Sequence, residues 1–300
     1  MIHIQIPATS ANMGPGFDSI GIAVQLYNHV WVEEQESGLT IEVKRKQAIP
    51  IPTDESNLIY RTMQHFYQKK GLPMPGVHII QEDAIPMVRG LGSSAACIVG
   101  GLFAANELAG APCTREELAQ MAAELEGHPD NSNPAIFGSM VVGAQDASGM
   151  KHVRLELPKD LIFAIMVPDF PVSTEASRSV LPDSYSRQDV VFNASRAALL
   201  IASMMTENYE NLEMAMEDRV HQPYRSVLIP GMEEIFRHAK EYGAVASYLS
   251  GAGSTLMAMV TREQAAEFER KMSEYLHRLE HHWELTLLEP DREGVKIERV

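Results

Sequence analysis

A glycine- and serine-rich loop opens directly onto an apolar, alanine-rich segment in the first third of this chain. The loop runs from Gly90 to Ser94, and the segment from Ala95 to Ala109 has the residues of a buried helix that ends at Gly110. Backbone N–H groups at a helix start, together with the helix dipole, attract anions. Glycine lets the chain approach a bulky ligand closely. The pattern predicts a cradle for a triphosphate, in which serine hydroxyls reach phosphate oxygens or Mg²⁺.

The same pattern also fits an ordinary tight turn in which Ser94 is the N-cap of the helix. The loop is not a P-loop, because no Gly-x-x-x-x-Gly-Lys-Ser/Thr occurs in the chain, and it lacks the spacing of the dinucleotide fingerprint. The loop alone therefore does not distinguish a turn from a phosphate site, and the distinction must come from other segments of the chain.

Composition and charge exclude several classes of protein. The 300 residues are 45% hydrophobic and 22% charged, which suits about two domains with a packed core. The net charge of −15 argues against a nucleic-acid binder, which needs a basic surface. No apolar run approaches the roughly 20 residues of a membrane span, the N-terminus lacks the basic start of a signal peptide, and two cysteines do not support a disulfide framework. We expect a cytoplasmic protein with no nucleic-acid or membrane partner; the sequence leaves open whether it is a homodimer.

Helices and strands alternate without a regular βαβ rhythm, which predicts an α+β fold. A domain boundary is predicted after Pro158, so that the domains are 1–158 and 159–300. Strands are expected at 2–7, 20–33, 39–46, 77–80, 141–145, 153–157, 161–167, 244–249, 255–260, 283–288 and 295–300. Helices are expected at 57–70 with Ser56 as cap, 95–109, 114–126 with a Thr114/Glu117 capping box, 188–207, 210–220, 231–241, and 261–281 with Thr261 and Gln264 as caps.

The loop at 7–18 is constrained by two prolines and two glycines. No Lys or Arg precedes Lys44, so Asp18 has no basic partner nearby in sequence. A carboxylate in such a loop is suited to hold the ammonium group of an amino-acid substrate. The alternative is a plain connection between two strands.

A second polar segment, Glu126 to Pro134, follows the end of a predicted helix. Mg²⁺ favours one or two carboxylates together with phosphate oxygens and water, so Glu126 and Ser94 are a predicted Mg²⁺ pair. His128 either positions a substrate or has a structural role. Asp130 is a candidate general base for a hydroxyl group.

A second loop of small residues and two arginines are further candidates for the site. The small residues of Ser250–Thr255 are expected to let this loop pack against the phosphate loop, although a simple turn would look the same. Arg178 and Arg225 lie in polar segments, and a guanidinium binds a carboxylate through two parallel hydrogen bonds. The alternative for each arginine is a surface ion pair.

Taken in order, these segments resemble the GHMP kinases. Pro86–Ala96 is similar to the phosphate loop of that family, and Ser250–Thr255 is similar to its C-terminal glycine motif. Residues 7–18, 126–135, 174–178 and 221–230 are similar to segments of the branch that phosphorylates L-homoserine. Gly138-Ser139 and Ser132 depart from the commoner pattern at positions without an assigned role. The resemblance extends from residue 4 to about residue 260.

The resemblance implies a two-domain fold with the nucleotide between the domains. The N-terminal domain would be like domain 2 of ribosomal protein S5, and the C-terminal domain would be ferredoxin-like. The implied reaction transfers a phosphoryl group from ATP to the hydroxyl of L-homoserine, which yields O-phospho-L-homoserine for threonine biosynthesis. ATP and Mg²⁺ are the implied cofactors, and L-homoserine is the small-molecule substrate.

The resemblance also implies roles for individual residues. The nucleotide would contact Asn57, Pro86, Met87, Val88, Arg89, Gly90, Leu91, Gly92, Ser93, Ser94, Ala95, Ala96, Gly251 and Gly253, and Mg²⁺ would be held by Ser94 and Glu126. The amino acid would be surrounded by Asn12, Asp18, His128, Thr174, Arg178 and Arg225. Asn131 and Asp130 are the catalytic candidates, although the branch specific for homoserine is thought to lack a dedicated base.

Two other functions stay open at this point. A GHMP kinase could act on another acceptor, such as mevalonate, a diphosphocytidyl-methylerythritol or a sugar, but Asp18 with two arginines suits a zwitterion. A nucleotide sensor without catalytic activity would bind ATP and turn over no acceptor.

Overall fold

A computed structural model describes residues 1–44 and 49–300 of the chain. Within these residues the strands are β1 (Ile2–Ala11), β2 (Ile20–Gln35), β3 (Leu39–Val43), β4 (Gly76–Asp83), β5 (Met140–Asp146), β6 (Gly149–Leu155), β7 (Leu161–Pro168), β8 (Ala246–Leu249), β9 (Leu256–Thr261), β10 (Trp283–Leu288) and β11 (Lys296–Arg299).

The helices in the same described part of the chain are α1 (Leu58–Lys70), α2 (Ser93–Leu108), α3 (Arg115–Glu126), α4 (Ser132–Phe137), α5 (Thr174–Ser179), α6 (Arg187–Thr206), α7 (Leu212–Ala215), α8 (Gln222–Arg225), α9 (Met232–Glu241) and α10 (Ala265–Leu276). Short 3₁₀ turns lie at Tyr209–Asn211 and Ser226–Leu228. None of these helices combines the length and the apolar character that a span of the bilayer requires.

The first sheet is built around the long strand β2. Its order is β11-β1-β2-β4-β3, and the start of β2 also pairs with β5, which pairs with β6. The central helix α2 packs on β1 and β2, and α1 and α3 flank it. The last strand, β11, returns from the far end of the chain to pair with β1. This sheet therefore holds both ends of the chain together and carries α2 on its covered face.

The second sheet has the order β10-β7-β9-β8, and every pair in it is antiparallel. Helices connect β7 to β8 and α10 connects β9 to β10, which gives the βαββαβ succession of a ferredoxin-like unit. The apolar run of β7 is buried along almost its whole length, as its sequence predicts. The expected α+β class is confirmed.

Local hydrogen bonds explain which of the predicted helix N-caps are correct and which are wrong. Thr114 and Glu117 form the expected capping box of α3. Asn57, and not Ser56, caps α1, because its side-chain oxygen accepts hydrogen bonds from the backbone N–H groups of the first turn. The predicted capping by Thr261 and Gln264 is wrong, since Thr261 belongs to β9 and the Gln264 side chain makes no capping bond.

The predicted helix at 210–220 is also wrong. Only a 3₁₀ turn and the four residues of α7 are helical there, and the chain then turns at Asp218. The carboxylate of Asp218 accepts hydrogen bonds from the backbone N–H groups of Val220, His221 and Gln222. Such a local acceptor competes with helix formation. The short helices α4 and α5 are not foreseen by the sequence, and of the predicted strand 39–46, positions 45 and 46 lie outside the described residues.

A histidine joins three strands at the edge of the first sheet. His78 of β4 lies between Glu33 of β2 and Glu42 of β3, with nitrogen–oxygen distances of 3.3 Å and 2.8 Å. Partial burial lowers the pKa of His78, but the hydrogen bonds and negative charges of the two glutamates outweigh it, so the pKa is raised above its usual value.

We expect this contact to stabilise the protein only at low pH. Because the pKa is raised by folding, the contribution of His78 is present below its unfolded pKa of about 6.5 and is lost as pH rises through the folded pKa. In urea unfolding, His78→Gln should lower the free energy of unfolding at pH 5.5 by roughly 1 kcal/mol or less, and by a smaller amount at pH 8.5. The same substitution in a Glu33→Gln/Glu42→Gln background is the control and should show no pH dependence. An equal loss at both pH values in the parent protein would contradict the ion pair.

Candidate active site

A cavity of about 530 Å³ lies between segments from both halves of the chain. The loop between β4 and α2 forms one wall, together with the first turn of α2. The lining also includes residues from other segments of the chain: Ile51, Pro52, Asn57, Leu58, Leu125, Glu126, His128, Asn131, and residues 172–174 and 251–253. The predicted phosphate loop, the Glu126 segment and the 250–255 loop thus share one space.

The start of α2 is open toward this cavity. The helix begins at Ser93, because Gly92 adopts a left-handed φ of 69° as its N-cap and makes no side-chain capping bond. Ser94 is therefore inside the first turn, exposed at the cavity, and the alternative in which it acts as the N-cap is wrong. The N–H groups of an uncapped first turn need partners from elsewhere, which suits an anionic ligand.

Glycine is required where the phosphate loop meets its neighbours. A Cβ on Gly90 would lie 2.2 Å from the carbonyl oxygen of Ser250, and a Cβ on Gly92 would lie 2.0 Å from Oγ1 of Thr9. The Ser250 hydroxyl donates to the carbonyl of Gly90 at 2.6 Å, and the N–H of Thr255 donates to the carbonyl of Arg89 at 3.0 Å. The 250–255 loop packs on the phosphate loop, as the sequence predicts.

Glu126 ends α3 beside the same cavity with an unused acceptor. Its Oε2 is buried and has no hydrogen-bond partner among the described residues. Burial raises the pKa of Glu126 to about 8, and the negative charge of Asp130 acts in the same direction. A divalent cation would give this oxygen a partner and would favour the charged carboxylate. Together with the Ser94 hydroxyl, it forms a set of oxygen donors that fits Mg²⁺.

Three titratable groups from two distant segments meet beside the cavity, whose lining includes His128 but not Asp18 or Asp130. His128 donates from Nδ1 to Asp130 at 2.6 Å, and this hydrogen bond raises the pKa of His128. One ligand atom each from Asp18, His128 and Asp130 lies within 4.8 Å of the others. The end of the loop at 7–18 therefore lies next to His128, which lines the cavity.

Asp18 has a partner that the sequence does not reveal. Both terminal nitrogens of Arg178 donate to its carboxylate, at 2.9 Å and 3.2 Å. The N–H of Asp18 donates to the side-chain oxygen of Asn12 at 3.0 Å, and both residues have left-handed backbones with φ of 53° and 73°. Such backbone conformations are costly and concentrate at functional sites. The loop thus presents the Asp18 carboxylate to the guanidinium of Arg178 in α5.

Arg225 is buried, so its interpretation as a surface ion pair is wrong. It donates from Nε to the carbonyl of Ser177 at 3.2 Å and from one terminal nitrogen to the carbonyl of Gly251 at 2.9 Å. Burial, and then the positive charge of Arg178, lowers its pKa to about 10. Both guanidinium groups face the ring of Phe17: that of Arg225 lies 5.2 Å from the ring centroid, and that of Arg178 lies 5.6 Å from it. Two positive charges therefore converge near Asp18.

The remaining predicted residues contribute in different ways. Asn57 lines the cavity, but its amide is already engaged: it caps α1 and donates to the carbonyl of Pro52 and to Gln81. Thr174 lines the cavity at the start of α5. Asn131 lines it too, with its oxygen held by the Thr9 hydroxyl at 2.9 Å. Ala96 is buried in the core under the loop and does not line the cavity.

Sequence reasoning missed a polar wall next to Asn57. Gln81 and Asp83, at the end of β4, line the cavity, and the Gln81 amide donates to Asp83 at 2.7 Å. Burial raises the pKa of Asp83 to about 6. The one available signal was the presence of polar side chains on the buried face of a strand that leads into the phosphate loop.

Comparison with known proteins places this geometry in a family. Residues 57–139 match the model of the GHMP kinases N terminal domain, and residues 194–278 match the model GHMP kinases C terminal. A homoserine kinase of Clostridium novyi is 42% identical over 99% of this chain and 99% of its own length, and one of Clostridium beijerinckii is 44% identical over 99% and 98%. The chain belongs to the GHMP kinase family. 

Solved structures agree with the fold of this GHMP kinase. The crystal structure of homoserine kinase from Cytophaga hutchinsonii superposes with a TM-score of 0.90 at 27% identity and covers 99% of this chain and 97% of that one. A mevalonate kinase crystal structure superposes with a TM-score of 0.72 at 13% identity over 97% and 99%, a likeness of fold alone. The expected two-domain GHMP kinase fold is confirmed.

We expect Gly90→Ala to weaken ATP binding more than its backbone conformation alone would explain. Gly90 and Gly110 have nearly the same φ, 78° and 81°, but a Cβ at Gly110 meets nothing within 4 Å. Gly110→Ala thus carries only the left-handed penalty of about 1–2 kcal/mol, whereas Gly90→Ala adds overpacking of roughly 1–3 kcal/mol against Ser250. Thermal unfolding and ATP titration calorimetry of both variants measure the difference. If Gly90→Ala and Gly110→Ala lowered stability and ATP affinity equally, the contact between Gly90 and Ser250 would not contribute to either property.

Proposed function

We propose that this GHMP kinase transfers the γ-phosphoryl group of ATP to the hydroxyl of L-homoserine and releases ADP and O-phospho-L-homoserine. The observation that carries the proposal is the set of opposite charges, Asp18 against Arg178 and Arg225, which lies next to His128 and so beside a cavity that an open helix start lines. A zwitterionic acceptor matches these charges. The whole-length similarity to homoserine kinases supports the same choice. We place the reaction in the cytoplasm and in threonine biosynthesis.

The nucleotide phosphates lie, in this proposal, against residues 86–95 and the first turn of α2. Their negative charge meets backbone N–H groups and the helix dipole at close range. Gly251 and Gly253 face them from the other domain and close the cavity. Asn57 maintains the wall on the nucleoside side through its contacts with Pro52 and Gln81, since its amide has no free donor for the base.

Ser94 and Glu126 are the residues that would hold Mg²⁺ in this proposal. When bound, the ion would neutralise phosphate charge and make the terminal phosphorus easier to attack. Glu126 supplies the carboxylate and Ser94 the hydroxyl, and Ser94 is exposed in the first turn of α2 to do so. The buried, unpartnered Oε2 of Glu126 is the structural support for this assignment.

Homoserine binding exchanges one ion pair for two. In the free site Asp18 and Arg178 neutralise each other. The substrate ammonium takes the place of the guanidinium at Asp18, and the substrate carboxylate takes the place of Asp18 at Arg178, with Arg225 behind it. Every charge keeps an opposite charge, so the exchange avoids leaving an unpaired group. Asn12, His128 and Thr174 complete the surroundings of the amino acid.

The orientation of the substrate hydroxyl toward the γ-phosphorus then accounts for most of the catalysis. The substrate hydroxyl oxygen forms a bond to the γ-phosphorus while the bond to the bridging oxygen of ADP breaks, and this transfer needs little covalent help from the protein. Asn131, held by Thr9, orients the hydroxyl. Asp130, hydrogen-bonded to His128, is the carboxylate available to accept the hydroxyl proton.

A panel of acceptors with coupled detection of ADP tests this function. L-homoserine should be turned over with a kcat/KM far above that of mevalonate, a diphosphocytidyl-methylerythritol or a hexose. The decarboxylated analogue 3-amino-1-propanol, which keeps the hydroxyl and the amine, should be a poor acceptor. Preference for a different acceptor would overturn the substrate assignment, and ATP binding without any turnover would identify a nucleotide sensor.

In the same assay, Asp18→Asn should reduce kcat/KM for homoserine by about 10- to 150-fold, because a hydrogen bond to a charged group contributes roughly 1.5–3 kcal/mol. The KM for ATP should change little. Asp183→Asn, at an exposed aspartate outside the site, is the matched control and should leave both values unchanged. Unaltered dependence on homoserine in Asp18→Asn would remove Asp18 from the site.

Glu126→Gln should raise the Mg²⁺ concentration needed for half-maximal activity by about tenfold or more, because a neutral amide is a weaker ligand for a hard cation. Glu124→Gln, two residues earlier on the exposed face of α3, is the control and should keep the parental Mg²⁺ titration. A parental titration in Glu126→Gln would contradict the metal assignment.

A further inference from the structure

A buried histidine joins the loop at 7–18 to Arg225. His221 is fully buried, and it does not line the cavity. Its Nε2 lies 2.7 Å from the carbonyl oxygen of Gly14, and its Nδ1 lies 3.3 Å from Nη1 of Arg225. A carbonyl oxygen only accepts and a guanidinium only donates, so Nε2 must carry the proton and Nδ1 must accept. The two partners therefore fix one tautomer of a neutral imidazole.

The surroundings of His221 favour this neutral form. Burial lowers the pKa of His221; the negative charge of Asp218 opposes this change, and the positive charge of Arg225 adds to it. The Asp218 carboxylate lies 3.5 Å from Nε2, but it already accepts hydrogen bonds from the side chain of Asn193 and from three backbone N–H groups. A proton on Nδ1 would face a donor of Arg225. His221 thus stays an acceptor toward the guanidinium.

Three acceptors hold the Arg225 guanidinium in one orientation. Nε donates to the carbonyl of Ser177 at 3.2 Å, and Nη1 donates both to His221 and, at 2.9 Å, to the carbonyl of Gly251. Nη2 makes no hydrogen bond to any residue that the structure describes. Because a guanidinium is a rigid plane, holding two of its nitrogens also sets the direction of the third. Ser177 and Gly251 contribute backbone oxygens, so His221 is the acceptor that a substitution can remove.

The same histidine packs on the aromatic ring beside Asp18. The rings of His221 and Phe17 are stacked with their centroids 5.3 Å apart, and the Arg225 guanidinium lies over the same ring of Phe17. Phe17 directly precedes Asp18, the carboxylate that takes the substrate ammonium in the proposed reaction. His221 therefore contacts the loop that carries Asp18 through Gly14 and Phe17, and it contacts Arg225 through Nδ1. One buried side chain bridges the groups proposed for the ammonium and for the carboxylate.

We propose that His221 is a positioning residue that sets the affinity of this kinase for the carboxylate of its amino-acid acceptor. This role rests on the proposed function, in which the substrate carboxylate is a ligand of Arg225. His221 does not touch the substrate; its Nδ1 holds the guanidinium so that Nη2 remains for a carboxylate oxygen. Without that acceptor, the guanidinium loses one of the contacts that orient it before the substrate arrives. An acceptor that has no carboxylate gains nothing from this contact.

Two substitutions separate the two hydrogen bonds of the histidine. His221→Gln can place its amide nitrogen near the position of Nε2 and keep the bond to Gly14, but it loses the acceptor for Arg225. His221→Asn can place its amide oxygen near the position of Nδ1 and keep that acceptor, but it is too short to reach Gly14. If the contact with Arg225 is the important one, the asparagine variant should resemble the parent more closely than the glutamine variant does.

Steady-state kinetics measure this difference. His221→Gln should raise the KM for L-homoserine by about tenfold or more, because a hydrogen bond to a charged group is lost. Its kcat should change much less, and its KM for ATP should stay parental. His221→Asn should recover most of the parental KM for L-homoserine. A larger rise in His221→Asn than in His221→Gln would assign the effect to Gly14 and overturn the proposal.

A competitor without the carboxylate distinguishes positioning from a general loss of structure. The inhibition constant of 3-amino-1-propanol against L-homoserine should be the same for the parent and for His221→Gln. His152→Asn is the matched control, because His152 also stacks on a phenylalanine ring, that of Phe137, and does not line the cavity. It should keep the parental values for both compounds. An equal loss of affinity for both compounds in His221→Gln would show a merely structural role and contradict the proposal.

The parent protein supplies a test that does not depend on a stable variant. Nitrogen NMR of the chain labelled at its histidines should show a neutral imidazole with its proton on Nε2 at mildly acidic pH. The Nδ1 resonance of this imidazole should shift when L-homoserine binds and stay in place with 3-amino-1-propanol. His128 is distinguishable, because its Nδ1 is a donor to Asp130. The absence of such a resonance, or an equal response to both compounds, would overturn the role of His221.

The parent enzyme separates this proposal from the proposed function. If the parent does not phosphorylate L-homoserine, the substrate assignment fails. If the parent phosphorylates L-homoserine and His221→Gln keeps the parental KM, the substrate assignment stands and the positioning role of His221 is wrong.

Discussion

The site depends on how closely three backbone segments approach one another at the start of α2. The N–H of Thr9 donates to the carbonyl of Leu91, and the N–H of Gly251 donates to the carbonyl of Ala11. Gly90 and Gly92 lie where a single added carbon would overlap the neighbouring segment. These contacts join β1, the phosphate loop and the loop before β9, which come from both sheets. Because the segments are in direct contact, the cavity has a defined shape and the first turn of α2 stays open to a ligand.

Ligand binding by this protein must depend on short-range electrostatic contacts and not on its net charge. A chain with a net charge of −15 repels a nucleotide at long range, so binding must come from groups that act at contact distance. In the proposed site the start of α2 supplies such groups for the phosphates, and Arg178 and Arg225 supply them for the carboxylate of the substrate. Asp18 and Arg178 neutralise each other while the site is free, and Glu126 keeps one oxygen without a partner. In the proposed reaction Asp18 and Arg178 exchange each other for the charged groups of the substrate, and the free Glu126 oxygen would bind a cation.

Hydrogen bonds link the inner face of α6 to the segment that carries Arg225. On its inner face, Asn193 donates to Asp218 at 2.7 Å, and Asp218 in turn accepts from the backbone of His221 and Gln222 at the start of α8. Arg225 ends α8. Helix α6 therefore supports the turn that precedes the buried Arg225.

Local pattern was enough to predict part of the fold and part of the site. The glycine and serine loop, the capping box of α3 and the buried strand β7 were all visible in the sequence, because each depends on residues that are neighbours along the chain. The helix predicted at 210–220 failed because Asp218 accepts hydrogen bonds from the backbone and ends the helical pattern, which periodicity does not register. The polar wall of Gln81 and Asp83 was missed for a similar reason, since a strand pattern does not say which side chains face a cavity.

The sequence by itself determined the family, the α+β class and the candidate segments of the site, since motif spacing and local capping are properties of contiguous residues. Only the tertiary structure decided that Asp18 faces Arg178, that Arg225 is buried under Gly251 and that Asn57 has no free amide donor. Each of these contacts joins groups that the fold brings together from separate segments of the chain. Distances, burial and the loss of hydrogen-bond partners arise from that packing, and no stretch of sequence contains them.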